Sequence, residues 1–290
     1  MVTLAVTRVS AQGGPTLIVD PSGAGNYTTI QAAVNAVTNA AGPRTILVRA
    51  GTYAEAVNIS AKNTGATADA QRLVIQADPQ AARGTVIVTP PANNNAFHIH
   101  QCKFITLDGF TIVGVTGNQM PAVKLGGGAQ DNQDVTVSGN DIHGNSSHGI
   151  EVQAGNPRTW LINNLIRHNG TPSNTGEGVN IANGTSAQPV YLLNNTIYAN
   201  RFNGVFCQKP RVLWVVNNLI VGNGTDTDPN NMLNKNGLRR GIGALKHSLK
   251  RKQRSPCLTM NALPQRMDLP LVGSNVSQMR SPVVALRQRN

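Results

Sequence analysis

The chain has 290 residues, is 40% hydrophobic and 4% aromatic, and contains 29 Gly residues and only 13% charged residues. No apolar run approaches the roughly 20 residues that a membrane span needs, and the three Cys residues have no metal-binding spacing. The formal net charge is +12, but up to Asn236 there are 14 Lys and Arg against 12 Asp and Glu. The basic excess lies after Asn236, so it gives no reason to expect that the folded body binds nucleic acid.

The first 15 residues contain a short apolar stretch that ends in Val9, Ser10 and Ala11. This triplet is similar to a signal-peptidase site, but the apolar stretch is short and lacks a basic start. The segment 1–15 is therefore either the remnant of an export signal or a ragged N-terminus. The first alternative predicts an extracellular or cell-surface protein.

The next segment predicts a strand, a turn and a helix. Residues 16–20 are mostly apolar, and a turn rich in Pro and Gly follows them. Thr28 and Gln31 have the spacing of a capping box, and the apolar residues that follow predict an amphipathic helix over 29–40. A helix in front of stacked strands covers the apolar end and the unpaired edge of the first coil.

Residues 16–59 resemble a known family, most clearly over Gly25–Val34 and Gly51–Val57. They are similar to the opening of pectin methylesterases and, more widely, of the pectin-lyase-like superfamily. The resemblance implies a right-handed parallel β-helix that acts on an acidic polysaccharide. The esterase motifs Gln-Asp-Thr-Leu, Asp-Phe-Ile-Phe-Gly and Leu-Gly-Arg-Pro-Trp are absent from the sequence. The family's two catalytic Asp and its Arg thus have no counterparts, and esterase activity is not expected.

One short phrase recurs between residues 134 and 223. Its copies follow one another at spacings of 24, 31 and 23 residues, and their first residues are Asn140, Asn164, Asn195 and Asn218. Such a period, built from short strands and turn residues, is typical of a solenoid whose coils stack about 4.8 Å apart. Stacking places these Asn residues in a ladder at one corner. It also buries an aliphatic ladder formed by Ile142, Ile166, Ile197 and Ile220.

These patterns and the resemblance together predict an all-β fold, a single-stranded right-handed parallel β-helix (solenoid) over residues 16–230 with an N-terminal capping helix. The repeat stops near Asn230, and the remaining residues 231–290 are basic. This tail is predicted to be poorly ordered or not native sequence. A basic arm that contacts nucleic acid or a membrane surface is the alternative.

The strand after each second corner predicts a row of outward side chains, because alternate residues of a strand face opposite sides of the sheet. The outward row consists of His98, Lys124, Glu151, Asn180 and Phe206. His148 and Glu177 precede their strands, and His100 and Gln153 follow the outward position by two residues. We expect these nine residues to form one site.

Two chemistries fit this row. In β-elimination from a uronate, Lys124 acts as the base or neutralises the carboxylate, and His98 or His148 acts as base or acid. In a glycoside hydrolase, Glu151 and Glu177 form the carboxylate pair. The side chains expected to bind the substrate are His100, Gln153, Asn180 and Phe206.

A structural interpretation of the same row stays open. Lys124 and Glu151 then form an exposed cross-strand salt bridge of small energetic value, and the His residues are solvated. The protein is in that case a non-catalytic solenoid, such as a surface, adhesin or tail-spike module.

No cofactor or metal site is predicted. Asp131, Asp134 and Asp141 come closest to a Ca²⁺ site, but their spacing fits no standard loop. The predicted partner is a polysaccharide, and the sequence leaves the oligomeric state open.

Overall fold

The computed structural model describes residues 15–38, 44–127, 132–153, 156, 158–174, 176–182, 189–207 and 212–224, and the backbone of 260–262 and 284–286. The chain winds into a right-handed parallel β-helix with three sheets, as the sequence predicts. Every coil from Arg44 to Cys207 adds one strand to each sheet.

Sheet A consists, in spatial order, of β1 (Thr16–Val19), β2 (Arg44–Val48), β5 (Leu73–Ala77), β8 (Lys103–Asp108), β11 (Gln133–Ser138), β14 (Thr159–Ile162), β17 (Val190–Leu193), β20 (Leu213–Val216), β23 (Val284–Leu286) and β22 (Met260–Ala262). Sheet B consists of β3 (Gly51–Tyr53), β6 (Val86–Val88), β9 (Thr111–Ile112), β12 (Asp141–His143), β15 (Leu165–Arg167), β18 (Thr196–Tyr198) and β21 (Leu219–Val221). Sheet C consists of β4 (Val57–Ser60), β7 (Phe97–His100), β10 (Val123–Leu125), β13 (Ile150–Val152), β16 (Val179–Ile181) and β19 (Val205–Cys207).

The core is a set of aliphatic ladders that run along the solenoid axis. The predicted Ile ladder is present, because Ile142 pairs with Ile166, Ile166 with Ile197 and Ile197 with Ile220. The first three of these side chains are fully buried. Burial of one Ile side chain stabilises the fold by about 1.5–3 kcal/mol. No single coil is large enough to bury such residues, so the stacking of coils supplies the core.

Two Asn ladders hold the corners on either side of sheet B. In the first, Nδ2 of Asn140 donates to Oδ1 of Asn164 at 3.1 Å, and Asn164 donates in the same way to Asn195 at 3.0 Å. The second ladder repeats this arrangement in Asn145, Asn169, Asn200 and Asn223. The left-handed residue of the first corner is the one before the ladder Asn, for example Asn163 with φ of 55°. The side-chain amides of each ladder have the same geometry in every coil, because each amide is hydrogen-bonded to the next one.

The N-terminal helix, α1 (Ile30–Ala36), is shorter than the predicted 29–40, and residues 39 and 40 lie outside the described chain. The N-cap is Thr29, whose side chain accepts a hydrogen bond from the Ala32 amide at 3.2 Å, so the predicted cap at Thr28 is wrong. Glu55 also caps the helix, because its carboxylate accepts from the amides of Ile30 and Gln31. A distant carboxylate thus replaces the local capping box. The helix buries Ile30 among its apolar residues and covers the first coil, as predicted.

The solenoid changes character at its last described coil. Leu219 and Val221 of β21 are the exposed large apolar side chains of the described residues. Within the segment 231–290, β23 pairs antiparallel with β20, and β22 pairs with β23. These two strands were not predicted, and the rest of that segment lies outside the described residues, as do residues 1–14. A short 3₁₀ turn, Asp69–Gln71, is the other helical element described, and neither helix is long enough to cross a bilayer.

Candidate functional site

The outward row of sheet C has the register expected from the sequence. Strand pairing aligns His98 with Lys124, Lys124 with Glu151 and Glu151 with Asn180, and the row ends at Phe206. Four residues of this row are half-buried, namely His98, Lys124, Glu151 and Phe206. Asn180 is buried, with only 3% of its surface exposed. Parallel pairing places their Cα atoms about 4.8 Å apart, so the row runs parallel to the solenoid axis. The catalytic and binding roles of these residues stay a prediction.

His98 and His100 form a stacked pair at the N-terminal end of the row. Their ring centroids lie 4.4 Å apart, with 29° between the ring planes. Nε2 of His98 lies 2.8 Å from the carbonyl oxygen of Gly126, and Nε2 of His100 lies 3.0 Å from Oδ1 of Asn58. Because both neighbours are acceptors, each Nε2 holds the proton of a neutral ring and each Nδ1 is left to accept one.

Burial lowers the pKa of both imidazoles below the ordinary value. For His98, the hydrogen bond to Gly126 opposes this effect, and the positive charge of Lys124 adds to it. For His100, the charge of Lys124 is the second cause. Both rings are therefore neutral near pH 7, which is the protonation state that a general base requires.

Lys124 and Glu151 are neighbours in the row but do not form the exposed salt bridge of the structural interpretation. Among the described residues, the Lys124 ammonium has no ion-pair partner. Glu151 instead accepts a hydrogen bond from Nε2 of Gln153 at 3.3 Å. Lys124 is thus a half-buried cation that faces solvent beside two neutral His rings. An ammonium group in this position is able to pair with an anionic ligand.

His148 and Glu177 lie behind the row and not on the surface beside it. They are 8% and 2% exposed, and Nδ1 of His148 lies 2.5 Å from Oε2 of Glu177. Nδ1 of His148 also accepts a hydrogen bond from the Glu177 amide at 3.3 Å, so the ring packs against both the main chain and the carboxylate of Glu177. Nε2 of His148 lies 3.3 Å from Nδ2 of Asn180, which connects the pair to the row. Each of the two residues precedes its strand at an inward position, so their side chains are buried behind the row and do not lie on the outer face beside it. Their catalytic roles stay a prediction.

Sequence reasoning missed a groove on the outer face of sheet A. It has a volume of about 790 Å³, within the range of about 300–1,000 Å³ that ligand pockets occupy. Its floor consists of outward side chains of β5, β8 and β11, which include Val74, Thr106 and Thr136. Residues 78–84 form one long wall, and Trp160 closes the end toward later coils. The groove therefore runs along the axis, on a different sheet from the predicted row.

An ion-pair network centred on Arg72 forms the opposite wall of this groove. The Arg72 guanidinium donates to Asp134 at 2.7 Å and to Asp69. Asp134 also binds Arg158, at 3.0 Å. Asp134, Arg158 and Phe104 occupy equivalent positions on three coils, and each has a positive φ. The same left-handed backbone position thus recurs in three coils, and at two of them it carries the ion-paired Asp134 and Arg158 of the wall.

A ladder of aromatic rings continues from the closed end of the groove. Trp160 stacks on Tyr191 with centroids 3.8 Å apart and an angle of 7°, and Tyr191 faces Trp214 at 6.4 Å. Each ring lies four residues before a ladder Asn, a position that Thr136 occupies one coil earlier. That recurrence was available in the sequence, but only the strands of sheet C were aligned for outward residues.

The described residues contain no cluster of three or more His, Cys, Asp and Glu side chains able to hold a metal ion. Asp134 binds arginines on sheet A, and Asp141 binds Arg167 on sheet B at 3.1 Å. The two carboxylates thus serve different ion pairs. Asp131, the third residue of the weak Ca²⁺ hypothesis, lies outside the described residues.

Comparison with known proteins defines the class of the chain. A family model described as "Right handed beta helix region" matches residues 80–242, which is more than half of the chain. The chain therefore belongs to the right-handed β-helix family. Its three-sheet coils agree with the pectin-lyase-like type of this fold, as expected from residues 16–59. No curated protein sequence matches the chain.

Solved structures with similar folds include two proteins named for action on pectin or pectate and one viral protein. The pectin methylesterase of Aspergillus niger is 16% identical, with a TM-score of 0.43, and the match covers 76% of this chain and 89% of the esterase chain. Pectate lyase Pel9A is 12% identical, with a TM-score of 0.42 and coverage of 73% and 70%. ORF18 of Geobacillus virus E2 is 18% identical, with a TM-score of 0.45, and the match covers 72% of this chain and 41% of the viral chain.

Proposed function

We propose that this protein binds an acidic polysaccharide along the outer face of sheet C. The observation that supports this most strongly is Lys124, a cation without an anionic partner among the described residues. It lies in an axial row between His98 and Glu151, so a chain of uronate units laid along the axis meets it directly. Because uronate polymers are extracellular, the proposal places the protein outside the cell or on its surface.

The same row supports a finer proposal, cleavage of the polymer by β-elimination. A base removes the proton α to the uronate carboxylate, and the Lys124 ammonium stabilises the negative charge that develops. The electron pair then forms a carbon–carbon double bond and expels the glycosidic oxygen, which takes up a proton. Neutral His98 or His100, each with Nδ1 left to accept a proton, is the candidate base.

The hydrolase version of the proposal is weaker. A glycosidase needs two carboxyl groups on either side of the scissile bond. Glu151 is half-exposed in the row, but Glu177 is 2% exposed and is held by His148. Glu177 is better placed to fix His148 than to meet a polymer.

The test is a panel of uronate and neutral polysaccharides incubated with the full chain. Ultraviolet absorbance of unsaturated ends and the release of reducing ends are both followed. We expect unsaturated ends from one uronate polymer, and Lys124→Ala should abolish them without a change in melting temperature. Lys103→Ala is the matched control, because Lys103 lies on β8 of sheet A, outside the groove.

Each outcome separates the two parts of the proposal. Binding without product would retain polysaccharide binding and reject the lyase step. Reducing ends without absorbance would favour a hydrolase. No binding of any uronate polymer by the folded protein would contradict the proposal.

A further inference from the structure

Sheet A offers a second ligand surface that the proposed function does not use. The groove ends at Trp160, and Tyr191 lies stacked on the far side of that ring. Since the two rings are nearly parallel, the opposite face of Trp160 is directed toward the preceding coil. That coil presents Thr136, a short side chain, at the same position. Trp160 therefore shows a flat apolar face to the open space above the floor of the groove.

The stacked ring behind Trp160 holds this face in place. Tyr191 packs at 3.8 Å, and Trp214 continues the stack. An aromatic face supplies a large apolar contact area, and a ring that is already fixed loses little conformational entropy when a ligand binds. Flat ligands with one apolar face and a polar rim fit such a platform.

The charges around the groove indicate that the ligand is neutral. Asp69 and Asp134 are bound to Arg72, and Asp134 is also bound to Arg158. Asp78, on the other wall, is bound to Arg49 at 2.6 Å. Asp108 and the exposed Arg83 also line the groove. The four carboxylates of Asp69, Asp78, Asp108 and Asp134 are thus matched by the guanidinium groups of Arg72, Arg83 and Arg158 together with Arg49, so a polyanion finds no excess of positive charge here. The Asp69 side chain, which is 76% exposed, would repel one directly.

Paired carboxylates and guanidinium groups still bind hydroxyl groups. A hydroxyl both donates and accepts hydrogen bonds, so it uses a carboxylate oxygen and an Arg N–H at once. On the floor, Asp108 accepts from the Ser138 hydroxyl at 2.7 Å, and the Thr136 and Thr106 hydroxyls lie beside it. Polar groups therefore surround a ligand that is stacked on Trp160.

We propose that this groove binds a neutral glycan, with the apolar face of one pyranose ring stacked on Trp160 and its hydroxyls bonded to the Arg72–Asp134–Arg158 wall. This site is independent of the polyuronate surface proposed for sheet C. A protein with both sites binds two kinds of polysaccharide on different faces of one solenoid.

The two Trp residues of the chain provide a direct probe. In the full-length variant Trp214→Phe, Trp160 is the sole tryptophan, and its emission reports on the groove. Cellohexaose, mannohexaose and hexagalacturonate are titrated separately. We expect a saturable change in emission with at least one neutral oligosaccharide and a weaker or absent change with hexagalacturonate.

Calorimetry on two further variants locates the binding. Trp160→Ala should weaken binding of the neutral oligosaccharide at least about tenfold, which corresponds to about 1.4 kcal/mol. Thr136→Tyr keeps Trp160 but fills the space in front of it, and it should weaken binding by at least as much. Trp214→Phe is the matched control, because Trp214 belongs to the same ladder but does not line the groove.

The proposal would be overturned if no neutral oligosaccharide bound to protein with native circular dichroism. It would also be overturned if Thr136→Tyr left binding unchanged, or if hexagalacturonate bound the groove more tightly than the neutral ligands. None of these results depends on Lys124, so failure here and failure of the sheet C proposal are distinguishable.

Discussion

The outer faces of sheets A and C are built on the same coils and yet differ in their charges and in the ligand that we propose for each. The strands of sheet C present one outward row, in which Lys124 has no anionic partner among the described residues. The longer strands of sheet A present two outward positions, and the carboxylates of the groove above them equal the guanidinium groups in number once Arg49 is counted with Asp78. Because stacking repeats each position from coil to coil, equivalent side chains line up along the axis on every face of a solenoid. Each face therefore has its own set of chemical groups.

The largest effect should come from the scaffold that both faces share. Asn164→Ala removes hydrogen bonds to Asn140, Asn195 and the Val137 carbonyl, all of them buried. Buried partners left unpaired cost about 1–3 kcal/mol each, so the free energy of unfolding should fall by about 2–4 kcal/mol. Urea denaturation followed by circular dichroism measures the change.

Asn94→Ala is the control for this variant, since Asn94 is exposed and its side chain donates, within the described part of the chain, to the nearby carbonyls of Pro91 and Ala92. It should change the free energy of unfolding by less than about 0.5 kcal/mol. If Asn164→Ala proved as mild as Asn94→Ala, the ladder would contribute little. If it weakened ligand binding on one face alone, the two faces would not share this support.

Ionic strength should separate the two faces with an intermediate effect. Raising the salt concentration from about 0.1 M to about 1 M shortens the Debye length from about 10 Å to about 3 Å. Binding of a polyuronate near half-exposed Lys124 should weaken several-fold, whereas a neutral glycan stacked on Trp160 should bind with unchanged affinity. Calorimetric titrations at both salt concentrations test this contrast, and an equal loss on both faces would remove it.

The smallest effect concerns pH and the histidine pair of sheet C. Burial lowers the pKa of His98 and His100, so just below the ordinary value the unfolded chain binds more protons than the folded one. This contribution to stability is therefore present above about pH 6.5 and is lost as the pH falls toward the lowered values. Melting temperatures between about pH 7 and about pH 5 should fall less for His98→Gln than for the original chain.

If the melting temperatures of the two proteins fell equally with pH, protonation of His98 would not destabilise the folded protein. Among the described residues that line the groove of sheet A there is no His. Neutral-glycan binding should accordingly change little over the same pH range, which again distinguishes the faces.

The repeating part of the fold was predictable because its sequence pattern recurs in every coil. The Ile142 ladder and the register of the sheet C row follow from a periodic pattern and from alternation within strands. The cap of α1 was not predictable locally, because Glu55, which binds the amides of Ile30 and Gln31, is 24 and 25 residues away. The burial of Glu177 was missed for a related reason, since the position before a strand depends on how the corner turns.

The most direct test of the account is a crossed titration of the two faces. Hexagalacturonate and the neutral oligosaccharide are each titrated calorimetrically into Lys124→Ala, Trp160→Ala and the Lys103→Ala control. The account predicts that Lys124→Ala weakens only the uronate, at least about tenfold, and that Trp160→Ala weakens only the neutral glycan by a similar factor. The account would be contradicted if either variant weakened the binding of both ligands equally, or if the Lys103→Ala control behaved like Lys124→Ala. The two faces would then not be separate binding sites.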